Sequence, residues 1–98
     1  MSNDLFVGFL GKGPELKYTK DLIPVCDLSV GVKVGSGETD WKKVTVWGKQ
    51  AEDCNLYLKK GSHVFVQGRK RENEYKNPQN LIKRYDSWTA DILSLIHS

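Results

Sequence analysis

The chain has 98 residues, 39% of them hydrophobic and 28% charged, a globular composition that supports one core but not a catalytic domain with a second lobe. Its formal net charge of +3 excludes the strongly basic body of a protein that condenses DNA by charge alone, so the placement of charge matters more than its sum. No apolar run approaches the roughly 20 residues that cross a bilayer, so no membrane partner is expected. Met1-Ser2-Asn3-Asp4 has the features of neither a secretory signal nor a transit peptide, and the expected location is cytoplasmic.

Leu5 to Leu10 reads as a first strand, with Leu5, Val7 and Phe9 on one face and Phe6, Gly8 and Leu10 on the other, apolar enough to be buried on both sides. Gly11-Lys12-Gly13-Pro14 ends it, because glycines and a proline do not continue a ladder. A loop or extended hairpin arm carries Glu15 to Pro24. From Val25 to Val34, Cys26, Leu28, Val30, Val32 and Val34 alternate with Asp27, Ser29, Gly31 and Lys33, the pattern of a strand with one wet face. Gly35-Ser36-Gly37-Glu38 is a short turn that pairs this strand with the next as a hairpin.

The next strand, Thr39 to Lys49, carries the most information. Val44 and Val46 point one way, and Trp41, Lys43, Thr45 and Trp47 point the other. Two tryptophans could also be core residues under a neighbouring layer, but that face would then bury the Lys43 ammonium without a partner, whereas the valine face is an uninterrupted core. Indoles alternating with ammonium groups suit a surface that stacks unpaired bases and neutralises the phosphates between them.

Lys49 to Lys60 reads as the one helix, with Ala51, Cys54 and Leu58 on one side, Lys59 and Lys60 at its negative end and Gly61 as its stop. Ser62 to Arg71 is a further strand running on toward Tyr75, with Val64 and Val66 inward and His63, Phe65, Gln67, Arg69 and Arg71 outward. Lys76-Asn77-Pro78-Gln79-Asn80 forms a turn, and the polar stretch to Asp86 a long connection. The last strand, Ser87 to Leu95, alternates Trp88, Ala90 and Ile92 with Thr89, Asp91 and Leu93. Three strands, a helix and two strands without repeat or linker make residues 1–98 one domain, all-β with one short helix, in the order of a five-stranded OB barrel.

Cys26 and Cys54 form no Cys-x-x-Cys pair, and His63 and His97 are the only histidines. Neither a metal site nor any cofactor is expected, and each thiol reads as a small buried apolar group, without a disulfide. Acidic residues concentrate in the first half and the helix, whereas Lys42, Lys43, Lys49, Lys59, Lys60, Arg69, Lys70, Arg71, Lys76, Lys83 and Arg84 come later, as a basic track.

Several ordered blocks resemble the bacterial-type single-stranded DNA-binding protein family: Gly8-Phe9-Leu10-Gly11-Lys12-Gly13-Pro14-Glu15-Leu16-Lys17-Tyr18, Thr39-Asp40-Trp41, Val44-Thr45-Val46-Trp47-Gly48-Lys49, Tyr57 through Arg69, and Arg84-Tyr85. The resemblance runs from Leu5 to Leu95. It implies an OB barrel, usually a homotetramer, that wraps single-stranded DNA without cutting or modifying it. Trp41 matches the family's base-stacking tryptophan, Trp47 a position that usually holds a stacking phenylalanine, and Tyr75 an aromatic in the loop between the last two strands. Lys17, Lys49, Lys59, Lys60 and Arg69 match basic positions that meet phosphates, and Lys43, Arg71 and Arg84 of the same basic track are expected to join them.

The chain departs from the family's pattern in four places. The turn at Gly35 to Glu38 is shorter, and the aromatic before it is lost. Lys42 stands where many members have a histidine at the tetramer contact, so a cation there would repel its symmetry mate. Pro78 to Lys83 and Ser87-Trp88 differ from the usual loop and strand entry, adding Trp88 as a packing or stacking surface, with packing expected. Leu93 to Ser98 carries none of the acidic tip that in the family recruits replication and repair enzymes, which fits a DNA-binding core whose tail was left out, a tail-less relative from a plasmid, phage or mobile element, or a specialised adaptor, and tail-reading partners are not expected.

The expected function is sequence-nonspecific binding and protection of single-stranded DNA in replication, recombination or repair, on the nucleoid, by a homo-oligomer with a tetramer favoured over a dimer. The alternative is a replication-restart or mobile-element adaptor that uses the barrel mainly for protein contacts. No nucleophile–base pair, phosphate-cradling glycine loop or metal-spaced carboxylate cluster supports an enzyme.

Overall fold

The computed structural model describes residues 3–35 and 37–96. Ser36 of the expected turn and His97 and Ser98 of the expected ending lie outside them. The elements are β1 (Asn3–Leu10), β2 (Glu15–Tyr18), β3 (Pro24–Val34), β4 (Glu38–Trp47), α1 (Lys49–Tyr57), β5 (His63–Lys76) and β6 (Ile82–Leu95). Strand order is β1-β5-β6-β4-β3-β2, and a further β1–β3 pairing at Phe9↔Gly31 and Leu10↔Val30 closes β1, β3, β4, β5 and β6 into a five-stranded barrel of the OB type. Closure removes the free edges that an open sheet of this size would expose. The arm expected from Glu15 is the short β2, paired with the first half of β3 from Glu15↔Asp27 to Tyr18↔Pro24.

The inward residues of four strands meet at the barrel axis: Cys26, Leu28 and Val30 of β3, Val44 and Val46 of β4, Val64 and Val66 of β5, and Trp88 and Ala90 of β6 are all buried. The helix packs on β3, β2 and β4 through Ala51 and Cys54. It ends at Tyr57 rather than at Lys60. Leu58 leaves the helical path (φ −102°, ψ 152°) to enter the core, while the Lys59 N–H turns to the Ser62 hydroxyl at 2.9 Å. Lys59 and Lys60 therefore lie beyond the helix, in a turn with Gly61. Among the described residues, no helix is long and apolar enough to cross a membrane.

Three further expectations change. β1 is buried on one face only: Phe6, Gly8 and Leu10 point toward the barrel, but Leu5, Val7 and Phe9 are exposed, because among the described residues this row meets only its β5 neighbours, with Phe9 stacked on the His63 ring at 4.4 Å. The stretch from Asn80 to Asp86, expected as a connection, is largely strand. β5 and β6 stay paired out to Lys76↔Ile82, and the turn closes at Asn77, whose side chain accepts the Gln79 and Leu81 N–H groups at 3.0 and 2.9 Å. Ile92, expected on one face with Trp88 and Ala90, is exposed while they are buried, and Leu93 and Leu95 pack on the core instead.

The cause of that reversal is a bulge. Gln67 pairs with Ile92 but Gly68 pairs with Ala90, leaving Asp91 as an extra residue, which inverts the two-residue alternation beyond it. Gly68 permits the tight approach, since a Cβ there would lie 2.4 Å from the Thr89 carbonyl oxygen.

Trp88 packs inward, as expected. It meets Phe6 edge-on with ring centroids 5.7 Å apart, and its indole N–H donates to Asp4 Oδ2 at 2.7 Å. Lys42 is drawn inward over it, with Nζ 4.4 Å from the Trp88 ring and 3.0 Å from Asp40 Oδ2. Its charge is thus partnered within the chain rather than presented bare.

Burial pushes the Cys26 thiol up and the Cys54 thiol up to about 12 from an ordinary value of 9.0. The folded state therefore holds these protons more tightly than the unfolded chain, and the resulting stability is fully present below about pH 8.5–9 and lost as pH rises toward the folded values. Thermal melts between pH 7 and 10.5 should show Tm falling above about pH 9, with a shallower fall in Cys54→Ala. An equal slope in that variant would remove the thiol as its cause.

Candidate nucleic-acid interface

The alternation that buries Val44 and Val46 necessarily sends Trp41, Lys43, Thr45 and Trp47 to the outside of β4. Register extends that outer face across the barrel wall. Asp27, Thr45, Thr89 and Arg69 form one transverse row, and Ser29, Lys43, Ser87 and Arg71 the next. Gly31 and Trp41 follow on the β3–β4 hairpin, with Tyr85–Asn73 and Lys83–Tyr75 on the β5–β6 arm.

Trp41 is 57% exposed. Its six-membered ring reaches over two glycines: a Cβ at Gly11 would come within 2.5 Å of the ring, and one at Gly31 within 2.9 Å. Lacking side chains, Gly11 and Gly31 let the indole rest against backbone. Trp47, 48% exposed, ends the same strand beside Arg69, Arg71 and Thr89, which share its shallow depression. Six residues of strand put Trp41 and Trp47 roughly 20 Å apart. Lys17 lies in the row of Val25 and Trp47, two strand spacings from the indole. Tyr75 is exposed on the arm, its ring 5.8 Å from that of Tyr85 and tilted by 60°.

The cations divide into two groups. Arg69 pairs with Asp91 at 3.3 Å, Arg84 with Glu74 at 3.2 Å and Lys49 with Asp53 at 2.8 Å. Hydrogen bonding to Asp53 raises the pKa of Lys49. Among the described residues, Lys17, Lys43, Lys59, Lys60 and Arg71 form no ion pair. Lys43 and Arg71 are on the tryptophan face itself. Lys59 and Lys60 occupy the turn in which Gly61 N–H donates to Leu10 at 2.9 Å, one residue from the Gly11 that seats Trp41. Arg84 stands apart, because the Glu74–Arg84 pair alternates with the Tyr75 and Tyr85 positions and so lies on the other side of the arm.

Tyr85 is the aromatic that sequence reasoning did not assign to the site. It shares its face with Lys43, whose Nζ lies 4.9 Å from the ring centroid. The signal was its two-residue spacing from Ser87 and Thr89, hidden because its segment read as a connection. Asp27 is a carboxylate within the rows of this face, and it accepts the Thr45 hydroxyl at 3.3 Å. Among the described residues, no group of three or more His, Cys, Asp or Glu side chains is arranged to hold a metal ion.

Residues 1–94 match the model of the Single-strand binding protein family. Over 89 residues the chain is 32% identical to Single-stranded DNA-binding protein 1 of Chlorobaculum tepidum, covering 83% of this chain and 55% of that protein. It is 38% identical over 79 residues to the Single-stranded DNA-binding protein of Halalkalibacterium halodurans, covering 74% of this chain and 47% of the relative. With that of Bacillus cereus it shares 35% identity over 82 residues, covering 78% and 48% respectively. The chain spans about half the length of the curated relatives it matches. A profile match across nearly every residue, on a closed barrel with an aromatic and basic outer face, means that this chain belongs to the single-strand binding protein family.

Proposed function

We propose that the chain binds single-stranded DNA without sequence preference and protects it during replication, recombination or repair, on the nucleoid in the cytoplasm. The observation that carries this reading is the pair of half-exposed indoles, Trp41 and Trp47, on a sheet face that also bears Lys43 and Arg71 without ion-pair partners among the described residues. Every base has a π-face and only an unpaired base exposes it, so aromatic platforms select single strands while tolerating any sequence. Lys17, Lys43, Lys59, Lys60 and Arg71 are free to meet phosphates, while Lys49, Arg69 and Arg84 would first exchange a carboxylate for one. The ionic part should weaken with salt through counterion release. This is a binding role, with no step of bond making or breaking.

The same reading favours a homo-oligomer, a tetramer before a dimer, because one small barrel offers few platforms. Leu5, Val7 and Phe9 support it as an exposed apolar row beside Phe65, the kind of surface a second copy covers. Light scattering should report an assembly larger than one chain, and Val7→Asp should shift it toward monomer while far-UV circular dichroism stays unchanged. A parent protein that is monomeric at every concentration would remove the oligomer and the wrapping it permits.

Trp41→Ala and Trp47→Ala should each weaken poly(dT) binding by about 1–3 kcal/mol with little change in Tm, measured by fluorescence titration beside a thermal melt. Unquenched parent fluorescence on adding poly(dT), with no shift in a gel, would favour an adaptor that uses the barrel for protein contacts.

A further inference from the structure

We infer that Tyr85 is an additional base-stacking platform and that Lys43 covers it until a phosphate draws the ammonium away. The inference rests on the proposed single-stranded DNA binding and adds a residue and a coupling to it. β4 and β6 pair only between Lys43↔Ser87 and Thr45↔Thr89. Before that point β4 runs with its hairpin partner β3, and β6 with the β5 arm, leaving a cleft that Trp41 and Tyr85 both line. Lys43 and Tyr85 also border the shallow groove over Ser29 and Thr45. The pair thus stands where a strand passing from the barrel wall to the arm must cross.

Tyr85 is 40% exposed, and its neighbour Tyr75 meets it at a tilt rather than stacked upon it. The group over its ring is the Lys43 ammonium, 4.9 Å from the centroid. Lys70 is held by Asp86 at 3.5 Å and Lys42 by Asp40 at 3.0 Å, whereas Lys43 has no carboxylate among the described residues. An exposed cation–π contact is weak beside a charge-assisted bond to a phosphate oxygen. An arriving phosphate therefore takes Lys43 off the ring, and the base next to that phosphate takes its place. Trp41, Tyr85 and Tyr75 then form a stacking path from barrel to arm, with Lys43 linking ionic attraction to stacking at its middle.

The test is a double-mutant cycle of Lys43→Ala and Tyr85→Leu, with Tyr85→Phe as the ring-retaining control, titrated with poly(dT) at low and high salt alongside thermal melts. Tyr85→Leu should weaken binding about five- to tenfold and Tyr85→Phe much less, if stacking is the lost interaction. Lys43→Ala should lower the slope of log affinity against log salt by about 0.7. It should bind less tightly than the parent at low salt but at least as tightly at high salt, where the bared ring compensates for the lost charge. In the Tyr85→Leu background, Lys43→Ala should weaken binding at both salts. Parent-like binding by folded Tyr85→Leu, or the same Lys43→Ala effect with and without the Tyr85 ring, would overturn the inference while leaving the broader reading intact. Failure of the parent to bind poly(dT) would overturn both.

Discussion

The closed hydrogen-bonded ladder around the barrel is the constraint on which the rest of the molecule depends. Because β4 is held between β3 and β6, its side chains have only two destinations. Burial of Val44 and Val46 consequently decides the exposure of Trp41, Lys43, Thr45 and Trp47. One interaction thus organises both core and surface: the apolar attraction that closes the barrel also presents the indoles. A slip of one residue in the β3–β4 register would exchange the faces and bury Lys43 in place of a valine, at a prohibitive desolvation cost.

Irregularities in the ladder tune what that closure presents. The extra residue at Asp91 lets β6 direct Trp88 and Ala90 inward on one side of the bulge and Leu93 and Leu95 on the other. Without it, Leu93 and Leu95 would leave the core and Ile92 would enter. The bulge also leaves Asp91 within 3.3 Å of Arg69, so one backbone feature adjusts packing and neutralises a cation near Trp47. At the other end of β6, Trp88 and Phe6 pack under Lys42, whose charge is paired at the surface with the half-exposed Asp40.

Electrostatics of the outer face are a matter of pairing more than of net charge. A total of +3 would attract a polyanion only weakly, and exposed ion pairs such as Lys49–Asp53 contribute little to stability. They do decide which cations stand ready for another partner. Lys43 and Arg71 remain available beside the aromatics, while Arg84 is engaged across the arm. The aromatic positions and these cations follow the spacing of a sheet, which fixes their distances from one another.

The local pattern by itself determined the barrel class, the facing of β3 and β4, the inward valines of β5, the buried thiols and the exposed Trp41 and Trp47, because each follows from a two-residue period that a strand cannot escape. Only the tertiary structure decided the rest. The helix stops at Tyr57 because Leu58 has a core to enter, and β6 begins at Ile82 because β5 supplies a partner for a stretch too polar to read as a strand. The outward side of β1 stays largely exposed because, among the described residues, it meets only the side chains beside it on β5, such as His63 on Phe9. Tyr85 joins the tryptophan-bearing face because strands distant in sequence bring it beneath Lys43. Periodicity records which side of a strand each residue takes, but pairing across 40 or more residues determines what waits on that side.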